Sequence, residues 1–185
     1  ALKYFTSFGS SEFAVRELFR RDTKSTLKVM RQWAEDESEH VRRLASEGSR
    51  PRLPWSFRLD AVLKDPKLTT PILERLRTDD SLYVRKSVAN HLNDFSKDHP
   101  MYMVDLLRSW DRKHPHTAWI AKHASRTLIK AGNTDALALF AFSSNVKVRV
   151  DELTLSPKRI KLGDTLEFSF TVTCEAARSQ QLVID

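Results

Sequence analysis

The sequence predicts a mainly α-helical chain: a superhelical solenoid of HEAT-like helix pairs, followed by the opening strands of an immunoglobulin-like β-sandwich. Three observations carry that expectation. Apolar residues recur at helical spacing through the first 145 residues. One short motif returns three times at repeat-like intervals. From Val146 onward, segments of alternating apolar and polar residues replace the helical period.

The motif is a hydroxyl residue, a β-branched apolar residue three positions later, and a basic residue two beyond that. It reads Ser38, Val41, Arg43; then Ser81, Val84, Lys86; then Thr117, Ile120, Lys122. Val41 and Val84 are 43 residues apart, and Val84 and Ile120 are 36 apart, the length of a HEAT or armadillo unit. Each hydroxyl is expected to cap its helix, because its oxygen can accept from backbone N–H groups that have no partner in the first turn. An apolar-periodic segment precedes each motif, over residues 26–35, 69–78 and 100–113, so each repeat is a pair of antiparallel helices. An earlier helix is expected over residues 12–21, with its own Val15-Arg16, and a short one over 134–142 closes the stack. Val41, Leu44, Val84, Val88, Ala124 and Leu128 should face the core.

After Val146, residues 146–155 and 166–174 alternate, and Gly163-Asp164 punctuates between them. A third strand is expected to begin at Leu182. Three strands do not close a sandwich, so the β domain is expected to be incomplete. The start, Ala-Leu-Lys-Tyr-Phe, likewise reads as the interior of a domain. The expected organisation is a repeat core over 1–145 and sandwich strands over 146–185.

Lys plus Arg number 31 against 24 Asp plus Glu, a net charge of +7. Residues 149–185 carry a net −1, so the first 148 hold about +8, a balance suited to a polyanionic partner. The single cysteine, Cys174, rules out an internal disulfide and is expected to lie buried and inert on its strand. The longest apolar run, residues 136–142, is far too short to cross a bilayer, and a reducing cytoplasm is the default. His114-Pro-His116 lacks a metal-ligand spacing. No nucleophile–base pair or glycine-rich phosphate loop stands out, so neither metal nor cofactor is expected.

Positions four apart share a helix face. Stepping along the second helix of each repeat gives Arg43, Glu47 and Pro51; Lys86, Asn90 and Asp94; Lys122, Arg126 and Lys130. Second helices of a curved solenoid line its concave side. Arg43, Lys86, Asn90, Lys122, His123, Arg126 and Lys130 are therefore candidates to meet phosphates, although such side chains also make ordinary solvated faces. Glu47 and Asp94 are out of place there: a carboxylate repels phosphate unless it has another task, catalytic or as an inter-repeat salt bridge. The break after Glu47 is equally irregular. In Gly48-Ser-Arg-Pro51-Arg-Leu-Pro54-Trp55, Gly48 is expected to end the helix and the prolines to prevent its return. Trp55 is then either part of a functional site or a cap on the core.

The run Glu39-His-Val-Arg-Arg-Leu-Ala-Ser-Glu-Gly-Ser-Arg-Pro-Arg-Leu-Pro-Trp55 resembles the AlkC branch of the HEAT-like-repeat DNA alkylation repair glycosylases. So do Val84-Arg-Lys-Ser-Val-Ala-Asn-His-Leu-Asn-Asp94 and His123-Ala-Ser-Arg-Thr-Leu-Ile-Lys-Ala-Gly132. The resemblance implies hydrolysis of the N-glycosidic bond of a cationic alkylated base, 3-methyladenine first and 3-methylcytosine second, in bacterial base excision repair and without base flipping. It places Glu12, Glu47, Trp55 and Asp94 at the family's active-site positions. It implies double-stranded DNA carrying alkylated bases as the partner of a monomeric enzyme. The residues suit that chemistry. An alkylated purine is already a cationic leaving group, the deoxyribose gains positive charge as the bond breaks, and a fixed carboxylate stabilises that charge. Trp55 offers a π face to a cationic base or sugar, and Trp119 is a second aromatic candidate unless it faces the core. The alternative is a non-catalytic HEAT-like module that binds DNA or protein. It would keep the cationic stripe without needing Glu47, Trp55 and Asp94 together.

Overall fold

The computed structural model describes residues 1–143 and 146–182. The chain divides into two compact units, Ala1–Leu139 and Phe140–Asp185. The first holds α1 (Leu2–Phe5), α2 (Glu12–Arg21), α3 (Thr23–Trp33), α4 (Glu39–Gly48), α5 (Asp60–Lys64), α6 (Thr70–Leu76), α7 (Leu82–Phe95), α8 (Pro100–Ser109), α9 (Pro115–Ala124), α10 (Arg126–Lys130) and α11 (Thr134–Ala138). The second holds the antiparallel strands β1 (Val148–Ser156) and β2 (Glu167–Cys174). The fold is thus mainly helical, with a two-stranded sheet after it. Most of the expected third strand lies on residues 183–185, outside the described ones.

The first two helix pairs form as the periodicity requires. α4 packs on α3, α7 on α6 and α8, and the second helices α4, α7 and α9 stack on one another in a row. Val41, Leu44, Val84, Val88, Ala124 and Leu128 are all buried in the core they build. α2 adds a further amphipathic face: Glu12, Val15, Arg16 and Phe19 are its buried residues, at helical spacing.

Ser38 and Ser81 stand at the N-caps of α4 and α7, but their hydroxyls make no cap hydrogen bond. The turn before each helix is built by an aspartate instead. Asp36 Oδ1 accepts from Ser38 N at 3.0 Å, and Asp79 Oδ1 from Ser81 N at 2.9 Å. Arg42 then donates back to the Asp36 and Glu37 carbonyls, and Arg85 to those of Asp79 and Asp80. Arg42 also pairs with the Asp79 carboxylate through Nε (2.6 Å) and Nη2 (3.1 Å), clipping one repeat to the next.

The third repeat departs from this pattern. Thr117 lies inside α9, where its hydroxyl donates to the Arg77 carbonyl, and His114 is the N-cap, accepting from His116 N. The expected continuous second helix breaks at Ser125 into α9 and α10. Asn93 Nδ2 donates to the Ala124 carbonyl at 2.8 Å, and Arg126 Nη1 to that of His123 at 2.7 Å, which satisfies oxygens near the break. The last helix is shorter than expected and ends at Ala138.

In the sheet, Val148 faces Cys174 and Ser156 faces Glu167. A register shift lies between Asp151 and Thr154, where Glu152 adopts φ 57°, a bulge. Cys174 is exposed, contrary to expectation: it ends β2 of a two-stranded sheet whose residues are mostly open to solvent.

Gly48 also has a different reason from the one its position suggested. It is the last residue of α4 and does not adopt a positive φ. A Cβ there would lie 2.9 Å from Val15 Cγ1, so glycine permits the close approach of α2. Ser49 finishes the helix, its hydroxyl reaching the carbonyls of Ala45 (2.7 Å) and Ser46 (3.1 Å). Gly48→Ala is therefore expected to destabilise the chain by about 1–3 kcal/mol through overpacking. In urea unfolding, the pair Gly48→Ala with Val15→Ala should cost less than the sum of the single changes.

Candidate functional site

The end of α4, the loop after it and the last turns of α7 meet at one cluster of buried charge. Arg50 leaves the loop two residues beyond α4 and points back. Its Nε and Nη2 bind Asp94 in a bidentate pair at 2.9 and 3.0 Å, and its Nη1 binds Glu47 Oε1 at 2.7 Å. Ser87, from α7, donates to the other Glu47 oxygen at 2.6 Å. Arg43, a turn earlier on α4, reaches Glu47 at 3.5 Å and Glu12 of α2 at 3.2 Å, and donates to Ser10. The carboxylates are mostly covered, with exposures of 9% for Glu12 and 6% for both Glu47 and Asp94. Three carboxylates thus share two directly paired guanidiniums.

The electrostatics follow from burial and pairing. Burial lifts the Asp94 carboxyl above the usual carboxylate range, aided by the charge of Glu47 and opposed by Arg50 and the Arg52 backbone N–H. Burial also works against the Arg50 cation, but hydrogen bonds and charge from Asp94 and Glu47 outweigh it and hold Arg50 above the ordinary arginine value. His91, fully buried beneath the cluster, is pushed down to about 3 by burial and then by Arg50. It is neutral: Nδ1–H donates to the Ser46 carbonyl at 3.1 Å, and Nε2 lies 3.1 Å from the Thr69 hydroxyl.

The loop from Ser49 to Leu59 carries Trp55 beyond this cluster. Trp55 is 97% exposed and sits at φ 60°, the left-handed region that a bulky residue rarely occupies. It caps no core. The turn is held by Leu59 N donating to the Pro51 carbonyl, Ser56 N to that of Leu53, and a two-point pair of Arg52 with Asp98.

The structure therefore separates the residues of the sequence stripe. Glu12, Glu47 and Asp94 come together, and Arg43 belongs with them rather than standing out as a free cation; its guanidinium also lies 5.1 Å from the Tyr83 ring centroid. Arg126 Nη2 binds Asn90 Oδ1 at 3.0 Å. Its pKa is lowered by burial and by Arg50. His123 stacks on Trp119 with centroids 5.0 Å apart, and its pKa is lowered by burial, Arg126 and Lys86. Trp119 is half-buried in that stack. Lys86, Lys122 and Lys130 are exposed. Arg50 was missed as a site residue because it follows the helix break and falls off the i+4 stripe. The signal available was an arginine between Gly48 and two prolines, three residues after the out-of-place Glu47. Among the described residues no group of three His, Cys, Asp or Glu side chains is placed to hold a metal, and no helix is long and apolar enough to cross a membrane.

Fixed carboxylates this close to one another, oriented by arginines and poorly solvated, form a preorganised negative site able to favour positive charge at an adjacent centre. The family described as DNA alkylation repair enzyme is matched over residues 4–131. The uncharacterized protein YhaZ of Bacillus subtilis (strain 168) is 49% identical over 185 residues, covering 100% of this chain and 51% of its own length. The alkylpurine DNA glycosylase AlkC of Pseudomonas fluorescens, solved bound to DNA containing an abasic site analog, is 55% identical. It superposes with a TM-score of 0.90 over 97% of this chain and 50% of its own. AlkD2 of Streptococcus mutans is 29% identical, with a TM-score of 0.54 over 62% of this chain and 54% of its own. The chain spans about half the length of these relatives.

His91 makes stability depend on pH. Its folded pKa lies below the unfolded value of about 6.5, so its contribution is complete above that pH and is lost as pH falls toward 3. The loss should approach roughly 5 kcal/mol at the acid end. Asp94, raised rather than lowered, acts in the opposite sense near the carboxylate range. Denaturant unfolding from pH 7 to pH 4 should show stability falling in the native chain and a shallower fall in His91→Phe. Equal slopes would remove His91 as the cause.

Proposed function

Because this chain belongs to the DNA alkylation repair enzyme family, we propose that it is a DNA glycosylase that releases cationic alkylated bases, chiefly 3-methyladenine and secondarily 3-methylcytosine, from double-stranded DNA. The observation that carries this reading is the convergence of Glu12, Glu47 and Asp94 on one arginine-oriented cluster, in a chain that also displays Trp55 to solvent. A solvated helix face needs no such construction. Burying carboxylates at a helix junction is costly, and pairing them with arginine recovers that cost without a clear gain in stability. The arrangement makes chemical sense if its charge serves a reaction.

In that reaction the alkylated base departs with its electron pair, neutralising its own positive charge. The deoxyribose is left oxocarbenium-like, and water adds to its anomeric carbon and loses a proton. Asp94 and Glu47 supply the negative field that favours the transition state and can orient the water, with Glu12 assisting. Trp55 offers a polarisable face to the cationic base or sugar, and the nucleotide reacts without being flipped. Lys86, Lys122, Arg126 and Lys130 are placed on second helices to meet phosphates in a largely sequence-independent way.

Two experiments test this. In single-turnover excision of 3-methyladenine, Asp94→Asn and Glu47→Gln should each lower the rate about 100-fold. Affinity for undamaged duplex should hold or rise slightly. Trp55→Ala should lower the rate less, in keeping with about 0.5–2 kcal/mol for a cation–π interaction. Both carboxylates are ion-paired, so thermal melting accompanies each assay. Full activity in folded Asp94→Asn and Glu47→Gln would make them structural ion pairs only. Separately, neutralising Lys86 or Lys122 should reduce the slope of log affinity against log salt by about one unit for each phosphate no longer neutralised. Unchanged slopes would take these lysines off the DNA.

A further inference from the structure

Arg16 is fully buried in α2 and makes no ion pair among the described residues, an uncommon state for an arginine. Its Nε is buried without a partner. Its other nitrogens have one visible task. Nη1 donates to the backbone carbonyl of Arg50 and Nη2 to that of Phe57, which bracket the segment bearing Trp55. The guanidinium also lies 5.2 Å from the Phe57 ring centroid. Val15, the neighbouring residue, is the one that touches Gly48 at the end of α4. The close approach that glycine allows there is what brings Arg16 within reach of both carbonyls.

The segment between the two pinned carbonyls does two things at once. At its first residue it sends the Arg50 side chain to Asp94 and Glu47. Five residues later it holds Trp55 in a left-handed conformation, fully displayed. A bulky residue in that region persists only when its surroundings over-determine it. Arg16 reaches neither solvent nor any surface that DNA could touch; its hydrogen bonds go to this segment alone, while its charge is also felt by Asp94 and Arg50. Resting on the glycosylase reading above, we propose that Arg16 is a positioning residue. By holding the Arg50 and Phe57 carbonyls together, it fixes Trp55 relative to the Arg50-bound carboxylates and so sets the rate of base release without contributing to DNA affinity.

The test is Arg16→Lys, which keeps the charge but replaces the planar fork of two nitrogens by a single ammonium nitrogen, so that the two carbonyls are no longer held at the spacing of Nη1 and Nη2. The chain is labelled with 15N-tryptophan, and the Trp55 indole signal is assigned with Trp55→Phe. The expected result is a shifted or broadened Trp55 signal with that of buried Trp110 unmoved. The single-turnover excision rate for 3-methyladenine should fall about tenfold, with the enzyme concentration for half-maximal rate changed less than twofold. In a Trp55→Ala background, Arg16→Lys should lower the rate by less than a further twofold. An unmoved Trp55 signal, or the same fractional loss of rate in both backgrounds, overturns the proposal. If Arg16→Lys does not fold, Arg16→Gln, which also removes the charge felt by Asp94, is read by the Trp55 signal alone, and an unmoved signal overturns the proposal; unfolding of both variants overturns it too, since Arg16 would then serve the fold as a whole. If the native chain excises nothing while the Trp55 signal still moves in Arg16→Lys, the glycosylase reading fails and the positioning of Trp55 stands.

Discussion

Burying the Arg50 guanidinium between Asp94 and Glu47 imposes a set of demands on the chain, and much of the first unit answers them. Two carboxylates and a cation withdrawn from water must keep each other's lone pairs and protons satisfied, because removing one partner leaves a buried charge costing several kcal/mol. α4 therefore has to stop where it does, so that Arg50 can turn back over Glu47. α7 has to run on to its last turns, so that Asp94 reaches the same guanidinium from the next repeat. Ser87 fills the remaining side of Glu47, and Arg43 carries the network outward to Glu12 on α2. One ion cluster thus ties three helices together at a point where a regular solenoid would have only apolar packing.

The same cluster constrains its surroundings electrostatically. Burial, reinforced by the Arg50 cation, keeps His91 beneath it neutral, and the ring serves as a hydrogen-bonding spacer between Ser46 and Thr69. The cluster also makes the loop after α4 part of the site rather than a connection. The backbone that delivers Arg50 inward delivers Trp55 outward a few residues later. A covered set of carboxylates and a displayed aromatic face are therefore products of one turn. A non-catalytic binding module would need neither, and that pairing favours chemistry over binding alone. The cationic side chains divide accordingly: Arg43 and Arg50 serve the carboxylates, Arg126 is tied to Asn90 and the end of α9, and the lysines of α7, α9 and α10 remain outward.

Much of this was legible in the sequence. The repeat motif located the second helices and their core faces, because a helix buries residues at a fixed period whatever its neighbours are. Glu47, Asp94 and Trp55 stood out because each broke a local rule: acid on a basic face, and a tryptophan after two prolines. Other features were misleading for the same local reason. α4 does end at Gly48, but the glycine is required there by the packing of Val15, thirty-three residues earlier, rather than by a left-handed cap. Thr117 fits the capping motif by spacing, but the third repeat starts its helix at Pro115 and uses the hydroxyl on Arg77. Cys174 alternates like a buried strand residue, yet a two-stranded sheet leaves it open.

By itself, the sequence determined the helical repeats, the change to strands after Val146, the excess of basic charge in the first 148 residues and the short list of carboxylates that did not belong on a basic face. Those are properties of periodicity, composition and local exception, which nearest neighbours along the chain suffice to define. Only the tertiary structure decided which cation each carboxylate keeps, that Arg50 rather than a stripe residue is the hub, and that buried Arg16 brackets the turn of Trp55. Pairing partners 31 to 44 residues apart are selected by distance in the folded state. The cost of leaving any of them unpaired exists only once water has been excluded, and no local pattern records it.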